Sequence, residues 1–523
     1  MLFNSYNFLA LFLPLALVFY WLVARLPLEW GRKAALVLIS LVFYGLGASR
    51  FLPVLGLSIL INFAASKVIQ HRVDRDRPTM LAVSVGVVLN LLLLFYYKYA
   101  EATLSFLHVD LGLTGFEVPN ILLPLAISFY TFQQIGYLVD VSRKRTRSGG
   151  LLSHLGFVLF FPAMISGPIV KHSETVPQMS GRLLRIEAGY NIAIGLMIFA
   201  IGMFKKTVIA DSISLYTSPV VEAVGAGGHP GFVDAWMVAF LYVLQIYFDF
   251  SGYSDMAIGV ARMFGIILPL NFHSPLKSDG FVEIWRRWHM SLGRWVQTYI
   301  FQPLSVPMAR FAMNRDLDGV AFNTFSTYLP TITAMVVLGV WHGPGLNYAL
   351  FGLMNGVFMT VNELWAHYQK QRRKRLGIKK VPTTLSRIAL ARGLTVLAFV
   401  LSHVPFQSLT FEATLHMFGA MAGFSVTSPE IEAVLTAWPF GLAGAAIMLL
   451  LGYLAIFLLP NTQQIMGRFN PCLEWDKWSK VGHAKLHWEW KMRLPYAVLT
   501  GLIFFVGFAF IARGSLNFIY FGF

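Results

Sequence analysis

Residues 328–345 read "YLPTITAMVVLGVWHGPG", an apolar run that ends in a tryptophan, a histidine and a chain-breaking Gly-Pro-Gly. Such a run can cross the hydrocarbon layer of a membrane as a helix. The glycines and the proline then stop the helix, free its last carbonyl groups and let another segment approach closely. His342 stands at this helix end, where a histidine is more often a cap or a satisfied core residue than a catalytic group. The stretch predicts a membrane helix and leaves the role of its histidine open.

Similar apolar runs recur along the whole chain. Of its 523 residues 56% are hydrophobic and 13% are charged, whereas soluble domains have about 45–50% and about 25%. No long polar block separates the runs, so we predict one membrane domain over residues 1–523, with an all-α polytopic fold of about 11 to 13 spans. The predicted spans lie near residues 7–24, 34–48, 52–70, 79–97, 120–140, 187–209, 235–248, 254–270, 326–341, 348–366, 387–405, 440–459 and 494–512. Two interrupted hydrophobic stretches, 151–169 and 281–303, predict re-entrant or in-plane helices.

The basic residues predict how the chain is oriented, because lysine and arginine in short loops favour the cytoplasmic side. The first of them, Arg25, follows the first span, so we expect the N-terminus outside, and the first span lacks the features of a cleaved signal peptide. The loop "QKQRRKRLGIKK" (369–380) should be cytoplasmic, and residues 406–439, which contain no Lys or Arg, should lie outside. The net charge of +16 is therefore largely a topology signal, and the chain is not expected to bind nucleic acid.

The cysteine content and the motifs exclude several other kinds of site. A single cysteine, Cys472, rules out an internal disulfide, and no HExxH or CxxC spacing occurs, so no metal site is predicted. No internal repeat is evident, which weakens an inverted-repeat transporter as an interpretation.

A polar stretch, "YFDFSGYSDMAIG" (247–259), lies between two apolar runs and contains Asp249 and Asp255. Carboxylates at membrane depth are costly unless they are paired or face water, so each is a functional candidate. One interpretation is that these groups form hydrogen bonds around a helix break at Gly252. The other is that they line the wall of a polar cavity and contact substrate.

The stretch "FVEIWRRWHMSLGRW" (281–295) predicts a single helix on which Glu283 lies beside Arg287. Tryptophan and arginine together are typical of an interfacial anchor. Alternatively, His289 belongs to a cationic cluster that holds an anionic donor or a lipid phosphate. The arginines of that cluster are Arg286, Arg287 and Arg294.

With these stretches the sequence resembles the membrane-bound O-acyltransferase family, and within it the bacterial branch of alginate O-acetylases and teichoic-acid D-alanyl transfer proteins. The resemblance runs in family order over essentially the whole chain. Its segments are "FNSYNFL" (3–9), "LLPLAISFYTFQQIGYLVDVSR" (122–143), "FFPAMISGPIVK" (160–171), "QIYFDFSGYSDMAIG" (245–259), "FVEIWRRWHMSL" (281–292), "GVWHGPGLNYALFG" (339–352), "LPNTQQIM" (459–466) and "FIYFGF" (518–523). Two segments depart from the family pattern, "FGLMNG" with Asn355 and "SHVPFQ" (402–407).

The resemblance implies a ring of tilted helices around a central funnel, with catalysis deep between the two membrane faces. The family's catalytic histidine falls on His342 and its second histidine on His289. The acyl donor should be a cytoplasmic thioester, most simply acetyl-coenzyme A, and we expect no tightly bound cofactor. Neutral His342 is suited to act as the general base. Asn347, the amides after Gly343 and His289 remain alternatives for stabilising the oxyanion.

The function implied is O-acetylation of an exported polysaccharide, such as alginate or another exopolymer, from the bacterial cytoplasmic membrane. Expected partners are a separate extracytoplasmic acetyl-carrier or transferase protein, a polysaccharide biosynthesis complex and membrane lipid. Peptidoglycan O-acetylation and teichoic-acid D-alanylation are alternatives within the class. A polysaccharide flippase or transporter is the alternative from another class, since it too would be polytopic with buried Asp and His.

Overall fold

The computed structural model describes residues 2–110, 118–180, 185–377, 384–482, 486 and 488–513. Within these ranges the chain is helical and has no strand, apart from one isolated bridge between Pro269 and Leu473. The all-α polytopic prediction is therefore confirmed. The segment "FIYFGF" (518–523) and the end of the basic loop, 378–380, lie outside the described residues.

The α-helices are, in chain order, α1 Leu13–Val23, α2 Gly31–Ala48, α3 Leu52–Asp74, α4 Met80–Lys98, α5 Ala100–Ser105, α6 Ile127–Ser142, α7 Leu151–Leu159, α8 Phe161–Met164, α9 His172–Thr175, α10 Arg185–Phe204, α11 Asp211–Gly225, α12 Phe232–Met263, α13 Phe281–Arg287, α14 Met290–Val296, α15 Gln302–Met313, α16 Gly319–Asn323, α17 Leu329–His342, α18 Leu346–Arg375, α19 Leu385–Gln407, α20 Phe411–Met421, α21 Pro429–Thr436, α22 Gly441–Leu458, α23 Thr462–Ile465, α24 Trp475–Trp478 and α25 Leu494–Phe510. Short π or 3₁₀ segments extend or join them at Phe8–Phe12, Ser49–Phe51, Phe106–Asp110, Val176–Met179, Lys205–Ala210, Pro275–Lys277, Gln297–Phe301, Thr324–Tyr328, Gly467–Phe469 and Ile511–Arg513.

Several helical segments can cross a membrane. Among the described residues, seven are long and apolar enough, namely Gly31–Asp74, Met80–Lys98, Glu187–Gly225, Phe232–Met263, Gly319–His342, Leu385–Gln407 and Gly441–Leu458. The segments Phe8–Val23 and Leu494–Phe510 are apolar but shorter. The first of the seven, Gly31–Asp74, contains α2 and α3, and each of these helices corresponds to one predicted span. The total number of crossings and the single domain over residues 1–523 stay predictions.

The predicted helix break at Gly252 is wrong, because α12 is one continuous helix of 32 residues. Gly252 instead packs against Gly202 of α10. A Cβ added to Gly202 would lie 2.6 Å from the Gly252 carbonyl oxygen. Further along the same contact, Gly195 and Gly259 meet in the same way. A Cβ added to Gly195 would lie 2.5 Å from the Gly259 carbonyl oxygen. Small residues let two membrane helices approach backbone to backbone. The glycines therefore serve helix packing, not chain reversal.

The two stretches predicted to be interrupted are interrupted. The first divides into α7 and α8 at Phe160, and the second divides into α13 and α14 at Trp288 and His289. The expectation of one helix over 281–295 is wrong for the same reason. Whether these short helices are re-entrant or lie in the plane of the membrane stays a prediction.

Candidate active site

His342 is the last residue of α17, and its side chain is buried at 3% exposure. Its ring lies in an aromatic enclosure, with ring-centre distances of 4.5 Å to Trp341, 4.9 Å to Phe406 and 5.9 Å to Phe351. Gly343 follows in extended conformation, and α18 starts at Leu346. The helix end therefore holds the imidazole inside the protein and not at its surface.

The α17–α18 hairpin is tight because glycines let the two helices touch. A Cβ at Gly339 would lie 2.8 Å from the backbone nitrogen of Gly352. Asn347, at the start of α18, donates from Nδ2 to the carbonyls of Pro405 at 3.2 Å and Ser408 at 2.8 Å. This ties the hairpin to the end of α19. The side-chain amide of Asn347 thus donates to backbone carbonyls of the protein. The predicted contact of Asn347 with substrate stays a prediction.

His289 lies at the break between α13 and α14, and it is buried at 2% exposure. Its ring packs 4.6 Å from the ring of Phe250, and its Nδ1 lies 3.0 Å from Oδ1 of Asn271. The backbone N–H of Ser291 donates to the same Oδ1, so this atom is an oxygen that accepts and Nδ1 carries the hydrogen. In the neutral imidazole, Nε2 is then the basic nitrogen.

A cavity of about 550 Å³ opens beside His289. Most of its lining is apolar, and its polar wall residues include Arg286, Arg294 and Glu363. Leu338 of α17 lines it too, one turn before His342, which is not itself a lining residue. A second hollow of about 320 Å³ shares Arg286 and Glu363 with the cavity. The cavity thus approaches both predicted catalytic histidines and is bordered by cations.

The three arginines of the predicted cluster have different surroundings. Arg287 is buried and forms an ion pair with Glu283, as the spacing predicts. Arg294 pairs with Glu174 at 3.1 Å. Within the described part of the chain, Arg286 forms no ion pair. Of the three, it is the cation best placed to meet an anionic ligand in the cavity.

Asp249 and Asp255 lie outside this cavity, in ion pairs between α12 and the Lys205–Ala210 segment. Lys206 contacts Asp249 and Asp211, each at 2.7 Å, and Lys205 contacts Asp255 at 2.8 Å. The second carboxylate also accepts hydrogen bonds from Thr462 at 2.6 Å and from Gln463 at 2.7 Å. The geometry of Asp249 and Asp255 is that of structural ion pairs. It does not favour their predicted contact with substrate.

One residue near the histidines, Asn271, carries no signal in the sequence analysis. Asn271 orients His289, although it looks like an ordinary polar residue after an apolar run. Asn355, which departs from the family pattern, accepts a hydrogen bond from Trp285 Nε1 at 3.1 Å and so fixes a wall of the cavity. His403, with its ring 5.3 Å from that of Phe351, adds a third buried histidine to the group. Among the described residues, no three His, Cys, Asp or Glu side chains converge as a metal site requires.

The sequence model of the membrane-bound O-acyltransferase family matches residues 144–379, which include His289 and His342. The peptidoglycan O-acetyltransferase of Helicobacter pylori is 33% identical over 457 residues, 82% of this chain and 81% of that protein. The probable alginate O-acetylase AlgI of Pseudomonas aeruginosa is 32% identical over 81% of this chain and 75% of its own. The teichoic acid D-alanyltransferase of Streptococcus thermophilus is 28% identical over 54% of this chain.

Proposed function

Because the chain belongs to the membrane-bound O-acyltransferase family, we propose that it passes an acetyl group from a cytoplasmic thioester to the hydroxyl groups of an exported polysaccharide. It is a multi-pass membrane protein and an acyltransferase. The observation that carries the proposal is the pair of buried histidines, one lining a cavity and the other at the end of α17, a helix that lines the same cavity. Relatives named for O-acetylation of two different glycans support the acetyl group and the polysaccharide acceptor.

His342 is the general base of the proposed reaction. Its neutral imidazole takes the proton from the acceptor hydroxyl while the hydroxyl oxygen attacks the carbonyl carbon of the thioester. A carbon–oxygen bond forms, the carbon–sulfur bond breaks, and the proton passes to the departing thiolate. General acid–base assistance is typically worth about 10² to 10⁴-fold, so positioning and charge stabilisation supply the rest. An acyl-histidine intermediate is the variant of this mechanism.

The donor is acetyl-coenzyme A or a similar acyl thioester, a substrate and not a bound cofactor, and it enters from the cytoplasm. The support is the course of α18, which begins beside His342 and ends in the basic residues Arg372–Arg375. Met359 and Glu363, which line the cavity, lie between these two ends. Because the basic end is predicted to be cytoplasmic, the cavity opens towards that side. Arg286 at its border suits the phosphates of such a donor.

The acceptor side lies outside the cell, where the acetyl group meets a separate extracytoplasmic carrier or transferase protein of a polysaccharide biosynthesis complex. The protein works in the bacterial cytoplasmic membrane, surrounded by lipid. Peptidoglycan is the second candidate acceptor, because a peptidoglycan O-acetyltransferase is 33% identical over most of the chain. D-alanylation is less favoured, since that relative matches 54% of the chain. The flippase interpretation is not retained, because the family consists of acyltransferases.

Replacing His342 by Asn tests the proposal. Asn preserves polarity and approximate volume but cannot accept and return a proton at neutral pH. We expect acetylation of the exported polymer to fall by about 10² to 10⁴-fold, with normal abundance in the membrane. The readout is the acetyl content of polymer and of peptidoglycan in a strain that carries only the variant, normalised to membrane protein. The matched control is His154→Asn, which changes another buried histidine, on α7.

Near-normal acetylation with His342→Asn would show that the histidine is structural and overturn its proposed role. Loss of acetyl groups from peptidoglycan alone, with the polymer unchanged, would move the acceptor from the exported polymer to the cell wall. A comparable loss in His154→Asn would mean that removing a buried histidine simply disturbs the fold.

A further inference from the structure

Lys98, the last residue of α4, has its ammonium group buried against the helix end that carries His342. Nζ is shielded from solvent and lies 5.3 Å from the centre of the Trp341 indole. Within the described ranges, no atom accepts a hydrogen bond from it. An ammonium group has three hydrogens to donate, and burying it without acceptors is costly. An ionisable group placed this way in a membrane protein is a functional candidate by default.

The position of Lys98 is fixed by its neighbour in the chain. The Tyr99 hydroxyl lies 3.0 Å from the carbonyl oxygen of Val340 and 3.4 Å from that of Trp341, to which it donates. These carbonyls belong to the last turn of α17, where the Val340 oxygen also accepts from the backbone N–H of Gly343 at 3.1 Å. The end of α4 is thereby held against the end of α17. The Trp341 ring that the ammonium group faces lies, in turn, 4.5 Å from the ring of His342.

The carboxylate closest to Lys98 in the chain is engaged elsewhere. Glu101, three residues after Lys98, accepts a hydrogen bond from the backbone N–H of Ile121 at 2.9 Å. The Trp341 ring attracts the ammonium group but carries no net charge to neutralise it. Among the described residues, Lys98 thus has no anionic partner, and an anion that forms beside it would stabilise its charged form.

We propose that Lys98 is a further catalytic residue, whose ammonium group stabilises the negatively charged oxygen that forms beside His342 during acyl transfer. The inference rests on the proposed function. When the hydroxyl oxygen bonds to the thioester carbon, the carbonyl oxygen takes up the electron pair, and it returns this pair as the carbon–sulfur bond breaks. The proton moves from the hydroxyl to His342 and then to the thiolate, so Lys98 keeps all three of its hydrogens. A fixed cation acts strongly here because little water screens it.

The competing structural role is that Lys98 only caps α17 and supports the Trp341 ring. A cation near a helix C-terminus is stabilising in its own right. The two roles differ in what the loss of charge changes. A catalytic cation affects the turnover of folded enzyme, whereas a cap affects how much of the enzyme is folded.

The test compares Lys98→Met, Lys98→Gln and Lys98→Arg in purified protein reconstituted into lipid nanodiscs. Acetyl-coenzyme A is varied against unacetylated polymer from a strain that lacks the gene, a periplasmic extract of the same strain is added to supply the proposed partner protein, and release of free thiol is followed. We expect Lys98→Met and Lys98→Gln to lower kcat by about 10² to 10³-fold, with KM for acetyl-coenzyme A changed by less than about threefold. Lys98→Arg should recover at least about tenfold of that loss, because it keeps the charge.

The control is Lys67→Met. Lys67 also lies 5.3 Å from an aromatic ring, that of Phe63, but it is exposed and donates to the carbonyls of Ser148 and Gly149. It should keep normal kcat. Wild-type kcat in either neutral variant of Lys98 would overturn the proposal, as would a lowered melting temperature with unchanged turnover per folded molecule. His342→Asn is assayed in parallel: if it stays active, the proposed function fails, and if it is inactive while Lys98→Met is fully active, only the role of Lys98 fails.

Discussion

The backbone of His289 has a φ of 42°, in the left-handed region that L-residues rarely occupy. This conformation ends α13, begins α14 and directs the imidazole to Asn271. For most L-residues it costs about 1 to 2 kcal/mol, less for Asn and more for β-branched residues. Strained residues of this kind cluster at functional sites. The sequence predicts an interruption within 281–303, but the segment "RRWHMS" contains no glycine or proline that would mark His289 as the point of the break.

The strain leads to a prediction about stability. His289→Val should lower the free energy of unfolding by about 1 to 2 kcal/mol more than His289→Asn, because Asn tolerates the left-handed region and a β-branched side chain does not. Thermal unfolding of both purified variants in the same detergent measures the difference. Equal melting temperatures would mean that α13 and α14 rearrange to relieve the strain.

At the scale of helices, the α10–α12 contact explains both what the sequence predicts and what it hides. The existence of two apolar helices follows from their composition and length. The continuity of α12 does not, because glycine inside an apolar run marks a break and a close helix contact equally well. The residue that faces Gly252 decides between a break and a contact, and this residue, Gly202, lies on another helix. The ion pairs of Asp249 and Asp255 escape prediction for the same reason, since Lys205 and Lys206 come from a distant segment.

Periodicity predicts local pairs better. The spacing of Glu283 and Arg287 predicts their ion pair within one turn, and the structure contains it. The predicted cationic cluster depends on longer contacts, and there Arg294 is taken up by Glu174. His342 and His289 are separated by several helices in the chain. The prediction that both belong to one site comes from the resemblance to a family, and not from any spacing within the sequence.

The triad of Lys206, Asp211 and Asp249 gives a prediction at this scale. Lys206→Met leaves two buried carboxylates without their cation, and breaking such a pair typically costs about 3 to 5 kcal/mol. Asp249→Asn leaves Lys206 with Asp211 at 2.7 Å, so a smaller loss is expected. Membrane abundance and melting temperature should therefore fall much further in Lys206→Met than in Asp249→Asn.

Acetyl transfer per folded molecule is the control, and we expect it to stay normal in Asp249→Asn because Asp249 lies away from the cavity. Loss of transfer in a well-folded Asp249→Asn protein would restore the interpretation that this carboxylate contacts substrate.

At the scale of the whole molecule, the site joins two parts of the chain that face opposite ways in the predicted topology. The hairpin of α17 and α18 carries His342 at the end remote from the basic residues Arg372–Arg375. The cavity follows α18 back towards those residues, through Met359 and Glu363. In the proposed function, an acetyl group delivered along this route would approach His342 from one face while the acceptor would reach it from the other. The orientation of the whole protein therefore decides which substrate comes from which side.

Cysteine labelling tests that orientation. The native Cys472 is buried at 3% exposure, so the unmodified protein should react little with a membrane-impermeant maleimide. Val426→Cys places a thiol at an exposed position in the stretch without basic residues, and Arg373→Cys places one in the basic end of α18. Because basic loops favour the cytoplasm, Val426→Cys should be labelled in intact spheroplasts and Arg373→Cys only after permeabilisation. The opposite pattern would place the cavity mouth outside the cell, where a cytoplasmic thioester cannot reach it, and the proposed direction of transfer would then be wrong even if both histidines proved essential.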